Sequence, residues 1–295
     1  MPDPAARSLR TRRSGLVGVV IPDLTNPVLA PIVQGVEEKL RSAGLGCLLA
    51  DTDNDPAREE AVIAELRARR CEGLVIATAR RRSTAVEKLA ESGPAAVLVT
   101  RGLDTQALPL VAPDDAHGVA AAVRHLVALG HRHLAHLTGP TDLSTTVRRA
   151  RAVVESAAGC SRPAVDVLVR HGAGFTIEDG RRLAQTLLSE HPEVTAVVAG
   201  NDMIALGCLD AMRDAGLRCP KDVSLVGHND MPYVDRLEPA LTTVAIPQRA
   251  LGIRAAEVLL GCLAGEPAVA EPCMLPTQLV VRESTAPPPR VARRS

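Results

Sequence analysis

Apolar residues along this chain come in two alternating rhythms. Short unbroken runs, Leu16–Ile21, Gly46–Ala50, Gly73–Ala77, Ala96–Thr100, Leu134–Leu137, Val165–Val169, Thr195–Ala199 and Val223–Val226, consist almost wholly of Val, Ile, Leu and Ala. That is the composition of strands covered on both faces. Between them, at about 29–43, 56–70, 84–92, 115–129, 145–158, 178–190, 202–215 and 248–264, the pattern predicts amphipathic helices. The punctuation agrees. Pro56 follows Asp55 at a helix start, and Gly44, Gly130 and Gly216 follow helix ends, where a left-handed cap favours glycine. Strand–helix alternation at this spacing predicts an α/β, doubly wound fold of parallel sheets. Eight such units are many for one open sheet, and 295 residues suffice for two lobes.

Composition narrows the function classes. Hydrophobic residues make up 46% of the chain, enough for a packed core. Lys+Arg and Asp+Glu are both 34, so the surface as a whole carries no nucleic-acid footprint. Phe175 and Tyr233 are the only aromatic residues apart from histidine, which excludes base-stacking platforms and aromatic belts. No apolar run approaches the ~20 residues of a membrane span, and no membrane partner is expected. The seven cysteines, Cys47, Cys71, Cys160, Cys208, Cys219, Cys262 and Cys273, are odd in number, widely spaced and lack a C-x-x-C. They read as reduced, mostly buried thiols of a cytoplasmic protein. Arg12-Arg13 ahead of Gly15–Ile21 is a faint export pattern, but the run stops at Pro22-Asp23 with no small-residue cleavage site, so export is not expected. Residues 1–14 carry four arginines against Asp3, and the Pro- and Arg-rich tail from Ala286 reads as disordered.

Polar residues gather just past the apolar runs: Asp23 to Asn26, Asp51 to Asp55, Thr100-Arg101, Thr138-Gly139, Asn201-Asp202 and His228-Asn229-Asp230. Ligands of parallel sheets bind beyond the carboxyl ends of strands, and such loops suit a hydroxyl-rich small molecule. Asn201, Asp202, Asp114 and Thr176 fit helix N-caps equally well, so both readings stand for any one of them. Catalytic signatures are poor. There is no P-loop and no G-x-S-x-G elbow, and Ala43-Gly44-Leu45-Gly46 precedes a strand where a dinucleotide turn would follow one. His133 and His136 would point to opposite faces of a strand, and Asp51, Asp53 and Asp55 lack the glycine and distal Glu of a calcium loop. No enzyme activity, cofactor or metal is expected.

Five stretches match a known family. They are Pro4-Ala5-Ala6-Arg7-Ser8-Leu9-Arg10, Gly18–Pro27 (Gly-Val-Val-Ile-Pro-Asp-Leu-Thr-Asn-Pro), His125–His131 (His-Leu-Val-Ala-Leu-Gly-His), Asn201–Gly207 (Asn-Asp-Met-Ile-Ala-Leu-Gly), and Asp222–Asp230 followed by Pro239–Val244. Together and in order, from about residue 4 to 287, they resemble the lactose/galactose repressor (LacI/GalR) family of bacterial transcription regulators. The resemblance implies a type I periplasmic-binding-protein-like core of two parallel-sheet lobes with three crossovers. The expected organisation is a hinge-like basic segment at 1–14, an amino lobe at 15–112 and 247–275, a carboxyl lobe at 113–246 and 276–287, and a disordered tail at 288–295. It further implies a small polar effector in the interlobe cleft, a sugar or related metabolite, whose binding alters DNA affinity, and a homodimer suited to a near-palindromic operator. By position, Arg149 matches a cleft arginine, Asn201 a polar contact and Phe175 an aromatic wall. Asn26, Arg101, Thr145 and Asn229 are further expected ligand contacts. Arg7, Ser8 and Leu9 match the DNA-contacting hinge, with Leu9 at the place of a minor-groove wedge.

Three departures from the family pattern bear on these expectations. Asn229 stands where the family commonly has Asp, and an amide both donates and accepts whereas a carboxylate only accepts; Asp230 could substitute. Val28 and Leu29 replace bulky aromatics. A helix-turn-helix domain of roughly 50–60 residues is expected ahead of the hinge, and Met1 begins about where its last loop would end. Either the gene starts earlier, or the chain is a sensor core without its own reader, so operator DNA would be reached only through the hinge or that missing domain. The alternative reading is a solute-binding protein of a sugar transporter.

Overall fold

The computed structural model describes residues 14–160, 164–266 and 271–289. The hinge residues Arg7, Ser8 and Leu9 and the tail positions 290–295 lie outside the described residues. In chain order the elements are β1 (Leu16–Ile21), α1 (Leu29–Ser42), β2 (Gly46–Asp51), α2 (Pro56–Ala68), β3 (Gly73–Ile76), α3 (Thr84–Ser92), β4 (Ala95–Val99) and β5 (Leu110–Pro113). They continue with α4 (Asp115–Ala128), β6 (His133–Thr138), α5 (Ser144–Ala158), β7 (Asp166–His171), α6 (Ile177–Glu190), β8 (Ala196–Ala199), α7 (Asp202–Asp214) and β9 (Ser224–Asn229). A 3₁₀ turn, β10 (Thr242–Ala245), α8 (Gln248–Leu263), β11 (Cys273–Leu275) and β12 (Gln278–Val280) complete the chain.

The chain divides into two compact units. The amino unit ends at Pro113 and takes back Pro247–Leu275, and the carboxyl unit comprises Asp114–Ile246 and the chain from Pro276. Each holds one six-stranded sheet. The amino sheet, in the order β11-β5-β4-β3-β1-β2, is parallel throughout; the carboxyl sheet, β12-β10-β9-β8-β6-β7, is parallel except for the antiparallel β10–β12 pair. Parallel pairing needs crossover helices, and these cover the sheets. The amino core gathers Val20, Ile63, Leu66, Leu74, Ile76 and Leu98, and the carboxyl core Val119, Val123, Leu126, Leu134, Val198 and Val226. Fully burying each such aliphatic side chain contributes about 1.5–3 kcal/mol. In both units one helix pair packs through glycine. A Cβ on Gly252 of α8 would lie 1.9 Å from the Ile32 carbonyl of α1, and one on Gly207 of α7 would lie 2.0 Å from the Ile177 carbonyl of α6.

Four features differ from the sequence reading. The strands β5, β10, β11 and β12, three or four residues each, are too short to leave a run of their own. Strands β2 and β7 are sheet edges and half-exposed, with Leu49 43% exposed, because among the described residues nothing pairs with their outer side. All seven cysteines are free, but only Cys71 and Cys208 are buried, and the other five are half-buried. The chain at Ala286 is held rather than free. Ser284 Oγ donates to the Leu225 carbonyl at 2.6 Å, Ala286 N donates to Ser224 Oγ at 3.0 Å, and His131 Nε2 donates to the Ala286 carbonyl at 2.8 Å. No described helix is long and apolar enough to cross a membrane.

Candidate functional site

In the carboxyl unit, the carboxyl ends of β6, β8 and β9 meet the first turns of α4, α5 and α7. Asp114 caps α4 by accepting from His117 N at 3.0 Å, which turns the next residue, Asp115, inward until it is fully buried. Its Oδ1 accepts from Arg149 Nε at 2.9 Å. Its Oδ2 accepts from Arg148 Nε at 3.1 Å and Nη2 at 2.9 Å. His228 Nε2 lies 3.1 Å from Asp115 Oδ1. Burial alone would raise the Asp115 carboxyl, but the charge of Arg149, the His228 imidazole and Arg148 hold it far below the usual carboxylate range. Burial, then the charge of Arg149, pushes His228 down to about 4, against the pull of Asp115, so the imidazole is neutral.

Arg149 is 5% exposed. Beyond Asp115 it donates from Nη1 to the Gly200 carbonyl at 2.6 Å and from Nη2 to Asn229 Oδ1 at 3.4 Å. Around it lie buried polar atoms without a protein partner, Thr138 Oγ1, Thr146 Oγ1 and His136 Nε2. His136 Nδ1 sits 2.8 Å from the Val198 carbonyl and must carry its proton, so Nε2 presents a lone pair; burial pushes this imidazole down to about 4. Buried polar atoms of this kind are met by ordered water or by a ligand.

The other expected contacts fall into two groups. Thr145 is buried in the first turn of α5. Asn201 caps α7, its Oδ1 accepting from Ile204 N at 2.8 Å, while its Nδ2 donates to the Phe175 carbonyl at 3.2 Å. Phe175, half-buried, lies against Gly139, where a Cβ would come within 2.6 Å of the ring. Thus Thr145, Arg149, Phe175, Asn201 and Asn229 converge on one end of the carboxyl sheet. Asp230, the possible substitute for a family aspartate, pairs instead with Arg282 at 2.8 Å.

In the amino unit, Asn26 Oδ1 accepts from Val28 N at 3.2 Å and sets the entry to α1. Arg101 donates from Nη1 to Asn54 Oδ1 at 3.0 Å, on a loop entered through the left-handed Thr100 (φ 63°). Asp51 accepts from Leu24 N and Asp53 N, and Asp55 caps α2. These carboxylates brace turns. The three clustered histidines diverge: His131 binds Thr195 and Ala286, His133 pairs with Asp166 at the surface, and His136 is buried under Arg149. The sequence reading missed Asp115, and it named His228 only as one of the polar residues past a strand, without a partner. Asp115 follows a good N-cap and reads as a second cap, and His228 lies at the polar end of β9; the spacing of a tandem Asp-Asp and a distant His carries no sign that they meet.

A family model for the periplasmic binding protein-like domain matches residues 123–285. The HTH-type transcriptional regulator MalR of Streptomyces coelicolor is 34% identical over 290 residues, 95% of this chain and 83% of the relative. Among solved structures, a transcriptional regulator CelR–cellobiose complex superposes with a TM-score of 0.84 at 28% identity, covering 96% of this chain and 91% of the other. A LacI family transcriptional regulator from Enterococcus faecium with bound ribose gives 0.80 at 26% identity, covering 92% and 99%. With a regulator relative at 34% identity matched over 95% of this chain and a core of this architecture, the chain belongs to the LacI family of HTH-type transcriptional regulators.

Proposed function

We propose that this chain is the effector-sensing core of a repressor that binds a small hydroxyl-bearing ligand, a sugar or related metabolite, at the carboxyl-end loops. The observation that carries this reading is the Arg149 guanidinium. It is held in the interior by Asp115 and the Gly200 carbonyl, with its Nη2 side beside Asn229. A fixed fork of donors next to an amide suits a hydroxyl, which accepts from one and donates to the other. Phe175 supplies an apolar wall and Thr145 a neighbouring hydroxyl. Asn201 positions Phe175 through its carbonyl. Asn26 and Arg101 are the corresponding candidate polar contacts within the amino unit. The cellobiose and ribose complexes of the similar regulators support this ligand class, and the regulator relative favours it over a transporter's solute-binding protein. The core acts as a homodimer in the cytoplasm and reaches operator DNA through hinge residues Arg7, Ser8 and Leu9 and a helix-turn-helix domain.

A thermal-shift panel of the chain with cellobiose, ribose and other sugars tests the site. A ligand at 100 times its dissociation constant adds about 2.7 kcal/mol of stability, and Arg149→Ala removes that shift. A shift that survives Arg149→Ala would overturn the assignment of the site. Light scattering checks the dimer, expected at twice the 31.0 kDa chain mass.

A further inference from the structure

Asp115 cannot itself meet a ligand. It is fully buried, and both carboxylate oxygens are taken, Oδ1 by Arg149 Nε and Oδ2 by two Arg148 nitrogens. Its two arginines are not equivalent. The Arg148 side chain is 26% exposed and also donates to Ser144 Oγ, so water shares its charge. The Arg149 side chain is 6% exposed, and its charge must be met within the protein. An unpaired buried charge is costly, and Asp115 provides the partner carboxylate. Apart from Arg148, which shares the Asp115 carboxylate and is in part met by water, the polar neighbours add no charge: Asn229 is an amide, and His136 and His228 are neutral imidazoles. What Arg149 offers beyond this pairing is therefore N–H geometry on a guanidinium that already has its partner carboxylate.

We propose that Asp115 sets the charge class of the effector, so that the Arg149 site selects neutral hydroxyl-bearing ligands over carboxylates and phosphates. This rests on Arg149 meeting the ligand as proposed above. A sugar hydroxyl takes Nη2–H and gives its own proton to the Asn229 carbonyl oxygen. An anion in the same place would bring a second negative charge to a guanidinium already paired with Asp115, and would face Asn229 Oδ1 with no proton to give it. Asp115 is thus a specificity-determining residue that acts through Arg149.

The test measures affinities of the intact chain for matched pairs: cellobiose and cellobionate, ribose and ribose 5-phosphate, glucose and glucuronate. For whichever pair binds, the neutral member is expected to bind at least about tenfold tighter, a difference of about 1.4 kcal/mol. Asp115→Asn keeps an oxygen for Arg149 Nε but removes the charge, and should move the neutral-to-acid ratio at least about tenfold toward the acid. A uniform loss for both members would mean a structural role only and overturn the proposal. Should that variant fail to fold, Asn229→Asp adds a carboxylate beside Nη2 and should raise the ratio; an unchanged or lowered ratio overturns it. A wild-type preference for the acid overturns this inference and leaves the site reading standing, whereas binding of neither member of any pair overturns both.

Discussion

At the carboxyl ends of its strands the amino unit leaves Asp51 and Arg101 half-exposed and Asn54 exposed, whereas the carboxyl unit buries Asp115, Arg149 and His228. The same sheet-and-helix plan therefore yields two kinds of polar surface. In the amino unit, Asp51, Asn54 and Arg101 brace backbone turns and one another in water, where each contact is weak and salt-screened, and the buried Glu59 accepts from the hydroxyls of Thr78 and Ser83. In the carboxyl unit, charges are desolvated and interlocked, so removing one strands another. The histidines sharpen the contrast: all eight lie between Asp114 and Ile246, and the amino unit has none. A desolvated cluster keeps its geometry before ligand arrives, so it can carry selectivity.

Substituting the two arginines gives the largest expected break. Arg149→Ala leaves Asp115 buried with one fewer counter-charge and should cost about 3–5 kcal/mol in urea unfolding. Arg101→Ala should cost no more than about 1 kcal/mol. Equal losses would erase the distinction between the units.

Acid should separate them next. The folded carboxyl unit holds His136 and His228 at about 4, so between the ordinary value of 6.5 and pH 4 the unfolded chain binds protons that the folded chain refuses. Each imidazole then removes about 1.4 kcal/mol of stability per pH unit as pH falls through that window. Asp202 works the other way. Burial pushes it up to about 7, although Thr243 Oγ1 and Met231 N donate to it, so acidification from pH 7 toward 4 favours the fold through this group. Two groups outweigh one, and hydrogen exchange, corrected for its intrinsic pH dependence, should show protection falling from pH 6.5 to 4.5 in the carboxyl unit alone. Asp202→Asn removes the opposing contribution and should steepen the fall.

The helix pairs predict equality. Gly252→Ala in α8 and Gly207→Ala in α7 drive a methyl against a facing carbonyl in each unit. Each should cost about 1–3 kcal/mol by overpacking, seen as similar drops in thermal midpoint. A large difference would show that one unit's helices can separate more readily.

The long strands and helices were legible because burial on both faces writes itself as apolar runs, and one-sided burial writes itself as a period near 3.6. The strands β5 and β11 were not, since three or four residues against a sheet edge need no distinctive composition. Arg149 was reached through the resemblance alone and Asn229 also by its place past an apolar run, and the structure adds what they touch. Asp115 illustrates the limit. Beside Asp114 it looks like capping chemistry, and only the packing of α4 against α5 and β9 brings it to Arg149 and His228, 34 and 113 residues away in sequence. The exposure of Leu49 likewise depends on β2 having no outer neighbour, which is decided by strand order rather than by the strand itself.

The return of Pro247–Leu275 to the amino unit has a consequence for how the chain is made. α8 packs against α1 and β11 closes the edge beside β5, yet both are synthesised after nearly the whole carboxyl unit. Domains generally fold in the order they emerge from the ribosome, but here the stretch that ends at Pro113 emerges without a helix and a strand of its own unit. The carboxyl unit waits only for the short stretch that pins Ala286 to Ser224. Translation thus delivers both units' last pieces within a few residues of each other, and the half whose strands emerge earlier is completed only after most of the other has been made.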